Sequence, residues 1–123
     1  MDDLLLTLVK AANQNDFSLD ITLNVNGALV TGTTVSAQKY LESISRTLED
    51  GNETSQEISQ KLSKASQSAK ESAQGETRFV HLKDAQVYNG DSQPTPSEEK
   101  FYWRGKAEEV DGFFLGKIDA RVE

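Results

Sequence analysis

The clearest pattern in the chain is the strict alternation over residues 19–26, where Leu19, Ile21, Leu23 and Val25 are interleaved with Asp20, Thr22, Asn24 and Asn26. A period of two places successive side chains on opposite faces and predicts a strand with one face buried. Asn26-Gly27 supplies the two positive-φ positions of a type I′ turn. The spacing therefore predicts a hairpin over 19–35, with Val25 facing Ala28 and Leu23 facing Val30. Gly32 falls opposite Ile21, a place for the strand to bend or bulge.

Helical spacing governs the segments on either side. Leu4, Leu5, Leu8, Val9 and Ala12 share one face of a helix over 3–14, with Asp2 or Asp3 to cap its free N–H groups. Ser36 caps a second helix that repeats Ala37, Tyr40, Leu41, Ile44 and Leu48, and Gly51 is placed to end it. Residues 52–75 hold six Ser and four Gln, with Ile58 and Leu62 as their large apolar residues and Ala65 and Ala69 extending a thin stripe. So narrow a stripe offers little burial against a backbone ordering cost of about 1–2 kcal/mol per residue. The expectation here is a marginal, solvent-exposed helix that orders on self-association through Ile58 and Leu62 and ends at Gly75.

Beyond it, 78–88 is a strand kinked at Asp84, 89–100 is a loop with two prolines, and 101–107 and 113–119 form a C-terminal hairpin around Glu108-Glu-Val-Asp-Gly112. The layout predicts one α+β domain spanning 1–123. It would be a small five-stranded SH3-like or Sm-like β-barrel with an N-terminal helix and a helical insertion, 37–75, between the second and third strands. The Asn26-Gly27 turn with Gly32 five residues on is similar to the first Sm hairpin. Trp103-Arg104-Gly105 is similar to the Sm C-terminal signature.

Composition narrows the chemistry. The chain has 123 residues, no Cys and one His. Disulfides, thiolate catalysis, zinc–thiolate sites and His-pair metal centres are thereby removed. A net charge of −7 is unfavourable for nucleic acid and for anionic membranes. That acidity lies toward the N-terminus: residues 1–51 carry three basic and seven acidic side chains, residues 77–123 seven and nine. The opening Met-Asp-Asp-Leu-Leu-Leu lacks the basic start of a signal peptide, so a cytoplasmic protein is expected. His81 with Asp84 suggests a base and its orienter only superficially, because nothing identifies an activated nucleophile. No catalytic, cofactor or metal residue is assigned, and the expectation is a non-enzymatic binding protein. The last third holds the single Trp and His, two of three Tyr and four of five Phe. In Phe101-Tyr-Trp-Arg104, Phe101 and Trp103 share one strand face, Tyr102 and Arg104 the other. Tyr102, Trp103, Arg104, Phe113 and Phe114 are the candidate interaction residues, since aromatics and Arg concentrate at the centres of interfaces.

Asn15-Asp-Phe-Ser-Leu-Asp-Ile-Thr-Leu-Asn-Val-Asn-Gly27, His81-Leu-Lys-Asp84, Trp103-Arg-Gly-Lys106 and Glu109-Val-Asp-Gly-Phe-Phe-Leu-Gly-Lys-Ile118 together resemble the bacterial gas-vesicle accessory protein U family. The resemblance covers most of the chain and thins over 52–75. It implies a non-enzymatic factor in assembling, organising or clustering gas vesicles, the protein-shelled buoyancy compartments. Its partners would be the vesicle shell or other accessory proteins and further copies of itself, with no membrane, nucleic acid or cofactor involved. An Sm-like RNA-binding protein is the alternative, and a small hydrolase using His81 a third.

Overall fold

The structure, a computed structural model, describes residues 3–71, 78–89, 94 and 101–118, the side chains of 69–71 excepted. Helix α1 (Asp3–Asn15) precedes strands β1 (Asp20–Val25) and β2 (Ala28–Thr34). Helices α2 (Ala37–Glu49) and α3 (Glu53–Glu71) follow, then β3 (Phe79–Tyr88), β4 (Phe101–Lys106), a 3-10 turn and β5 (Gly112–Leu115). The five strands form one antiparallel sheet in the order β4-β3-β2-β1-β5.

The β1–β2 hairpin has the expected register, with Val25 opposite Ala28, Leu23 opposite Val30 and Ile21 opposite Gly32. Asn26 and Gly27 both have positive φ, 53° and 89°. Asn24 Oδ1 accepts the Gly27 N–H at 3.1 Å and Asp111 Oδ2 accepts the Asn26 N–H at 2.9 Å, so a later turn pins this one. The β2–β3 register shifts between Thr31 and Thr33, and the β3–β4 register between Leu82 and Ala85, where Asp84 has φ 52°. Gly32 belongs at the first shift: a Cβ there would lie 3.0 Å from the Lys83 carbonyl oxygen.

One face of the sheet carries the core. Ile21, Leu23, Val30, Val80, Leu82 and Ala85 pack with Leu5 and Val9 of α1, and Ala107 closes the same cluster. The other face is covered at two places. Near β1 the chain returns over the sheet after β5: Thr22 Oγ1 donates to the Gly116 carbonyl (2.8 Å) and is hydrogen-bonded to Thr31 Oγ1 (3.0 Å), which accepts the Ile118 N–H (2.9 Å). Near β3 and β4 it meets Tyr40 of α2.

Three expectations are corrected. The sheet stays open and does not close into a barrel, because β4 and β5 end up at opposite edges. For the same reason 101–119 is no hairpin: β4 pairs with β3, β5 pairs with β1, and the 3-10 turn Ala107–Glu109 begins the crossing between them. The polar insertion is also ordered within one copy. Helix α3 packs along α2 through hydroxyls, with Ser45 Oγ donating to the Ser59 carbonyl (2.8 Å) and Ser59 Oγ donating to the Ser45 carbonyl (2.7 Å). Ser66 Oγ donates to the Gln38 carbonyl at 3.0 Å. Small side chains let the two backbones approach, and each buried hydroxyl is satisfied, so the interface needs few large apolar groups. The expected stop at Gly75, and all of loop 89–100 except Asn89 and Pro94, lie outside the described residues.

The turn gives a direct test. A Cβ at Gly27 would meet nothing within 4 Å, so the penalty for a side chain there is conformational alone. Gly27→Val is expected to lower stability by about 1–3 kcal/mol, read as a lower urea midpoint with an unchanged slope. A midpoint equal to the parent's contradicts the turn geometry.

Candidate functional site

Alternation along β4 divides the candidate residues by face. Trp103 packs against the core cluster with Phe113, whereas Tyr102 and Arg104 are exposed on the opposite face. Trp103 is held there by Gly105. The indole lies over the glycine two residues on, and a Cβ at that position would collide with the ring. The Trp-Arg-Gly triplet is thus a packing unit: glycine seats the tryptophan and leaves the arginine between them on the outer face. Phe114 is 51% exposed on β5, at the far edge of the sheet from β4. The five residues therefore do not form one surface. Ile58, 44% exposed, and the half-buried Leu62 sit on α3, separate from both edges.

At the β4 edge the cross-strand register builds a cluster. His81 lies opposite Arg104 and Phe79 opposite Lys106. Arg104 Nε donates to His81 Nε2 at 3.1 Å, and the guanidinium carbon sits 3.7 Å from the centroid of the Phe79 ring. The Tyr40 ring lies 4.8 Å from the His81 ring, centroid to centroid, and 6.2 Å from Tyr102. Beside them, Arg78, Phe79, Lys106 and Glu108 line a cavity of about 200 Å³. Arg78, Arg104 and Lys106 form no ion pair among the described residues.

His81 is buried in β3, only 3% exposed. Burial, and then the neighbouring Arg104 guanidinium, lower its pKa from 6.5 to about 4. The ring is therefore neutral near pH 7. With Nε2 accepting from Arg104, its proton sits on Nδ1. Its hydrogen-bond partner is Arg104, and Asp84 is exposed at the bulge. This is a structural acceptor that aims an arginine. Sequence alternation placed Tyr102 and Arg104 on one face, but Tyr40, Phe79, Arg78 and Lys106 enter the site only through the β3–β4 register and the docking of α2. The pairing of Phe79 and His81 at i, i+2 on β3 was the one local signal that could have found half of it.

A family model described as gas vesicle protein GvpU-like matches residues 2–118. No curated protein and no solved structure matches. No helix among the described residues is long and apolar enough to cross a membrane.

The histidine makes stability depend on pH. Its folded pKa of about 4 lies below the unfolded 6.5. Between those values the unfolded chain binds more protons, so the stability held above pH 6.5 is lost as pH falls toward 4. The full loss is about 3 kcal/mol from a shift of that size. His81→Gln is expected to flatten the urea-midpoint profile over that window relative to the parent. Parallel profiles for the two proteins contradict the assignment.

Proposed function

The chain belongs to the GvpU-like gas vesicle protein family, and we propose that it is a non-enzymatic binding factor that organises gas vesicles. In this reading it works in the cytoplasm, holds the vesicle shell or another accessory protein through one surface, and meets further copies of itself through another. The observation that carries it is the family match across 2–118, nearly the whole chain. Family membership also sets this reading ahead of RNA binding, and the chain's acidity agrees.

The geometry supports a divided labour. The two sheet edges stand at opposite ends of the strand order and differ in character. β4 presents Tyr102, Arg104 and Lys106, while β5 presents Phe114 and Leu115, which is 65% exposed. Unpaired edges readily accept another strand. The α2–α3 hairpin offers a third surface in Ile58 and Leu62, suited to weak contacts between copies. Weak contacts multiply once several proteins are held on one vesicle, because the second contact becomes intramolecular. Vesicle clustering follows from that avidity.

Flotation separates the two roles. Buoyant vesicles mixed with the protein are expected to carry it upward on centrifugation and to cluster under the microscope. Ile58→Glu, at an exposed helix position, is expected to float as the parent does while clustering falls. A parent protein that stays in the subnatant removes the proposal, and a variant that clusters vesicles as well as the parent removes the role of α3.

A further inference from the structure

An exposed arginine ordinarily samples many rotamers and loses that freedom when it binds. Arg104 is different, because two neighbours already hold it. His81 accepts its Nε–H at 3.1 Å, and Phe79 lies beneath the guanidinium plane at 3.7 Å. The histidine itself is fixed by burial and by Tyr40 at 4.8 Å. The hydrogen bond uses Nε and the ring contact uses the π face, so neither consumes a terminal N–H. The two terminal nitrogens have no partner among the described residues, and Arg104 is exposed. A planar pair of N–H donors with fixed orientation matches a carboxylate in bidentate fashion. Stacking on an aromatic ring adds to the preorganisation without consuming those donors.

The surroundings select among anions. Among the described residues around Arg104, Lys106, two residues along the same face of β4, and Arg78, just before β3, give three cations against one acid, Glu108, on a chain whose net charge is −7. β4 is also an edge: β3 pairs with one side of it, and no described strand pairs with the other. Backbone donors and acceptors along that side suit a peptide, whose own backbone completes the ladder. A polynucleotide offers no such ladder.

We propose that Arg104, held between His81 and Phe79, is a carboxylate receptor, and that the β4 edge takes an extended acidic segment of a partner protein as a sixth strand. Side chains on alternate residues of that segment would meet Arg104 and Lys106 in turn, since strand neighbours on one face repeat every two residues. This inference rests on the binding role proposed above and names the chemistry of the partner.

The test uses the full chain and a capped peptide of alternating Glu and Val, with the Gln–Val peptide as its control. Trp103, the single tryptophan and part of β4, reports binding by fluorescence, and amide NMR shifts locate it. At low salt the Glu peptide is expected to bind at least about tenfold tighter than the Gln peptide, the scale of one charge-assisted bidentate contact. That margin should narrow as salt screens the exposed charges. Arg104→Lys keeps the charge, loses the fork, and is expected to lose most of the margin. Phe79→Leu, which removes the stack under Arg104, should reduce it as well. Equal affinity for the two peptides, an Arg104→Lys protein that binds like the parent, or shifts confined to β5 would each overturn the proposal. Tighter binding of single-stranded RNA than of the Glu peptide would do the same. Vesicle flotation distinguishes the two levels: a protein that floats with vesicles but ignores acidic peptide loses only this inference, whereas one that binds peptide and never floats loses the vesicle role.

Discussion

The register of the β1–β2 hairpin is the constraint on which the rest of the structure depends. Because side chains alternate with a period of two, a slip of one residue would move Ile21 and Leu23 out of the core and Thr22 into it. Asn26 and Gly27 prevent that slip by fixing the turn, and Asp111 holds the turn from just before β5, the strand beside β1. With the register set, β2 orders β3 and β1 orders β5. Both faces of the central strands are then occupied. Apolar residues meet α1 on one side, and the Thr22–Thr31 pair meets the returning chain at Gly116 and Ile118 on the other.

This arrangement explains why the proposed binding chemistry collects at an edge. At the middle of the sheet, Thr22 and Thr31 are buried on the outer face as Ile21, Leu23 and Val30 are on the inner. At β4 the outer face emerges from cover, and Tyr40 protects only its inner part. The histidine buried there cannot readily take a proton, and its neutrality is what allows it to accept from Arg104 instead of repelling it. Packing on the core side of the same strand supports that geometry from below, through Trp103 lying over Gly105. One short segment thus carries an anchor on one face and an aimed cation on the other.

Local features were legible in the sequence, and non-local ones were not. The hairpin, the cap at Ser36 whose Oγ accepts the Lys39 N–H at 3.1 Å, and the irregularity at Asp84 each depend on a few adjacent residues, and each is present. The placement of β4 and β5 at opposite edges depends on which distant strand each one meets, and spacing alone suggested a hairpin between them. The α2–α3 packing was hidden for another reason. It is built on Ser45, Ser59 and Ser66, and a hydrophobicity pattern does not register hydroxyl contacts. Among the site residues, alternation separated Tyr102 and Arg104 from Trp103. It could not say that Trp103 and Phe113 face the core, because aromatics occur on both faces of this sheet. The seat of Arg104 needed the β3–β4 register, and Tyr40 needed the docking of a helix.

Amide hydrogen exchange, compared between the free protein and the protein bound to gas vesicles, tests the central claim most directly. The proposed contact lies at the open β4 edge, so exchange should slow over residues 101–106, with smaller changes at 78–81 behind them and little at β5. Protection confined to β5 or α1, with residues 101–106 exchanging as fast as in the free protein, would contradict it.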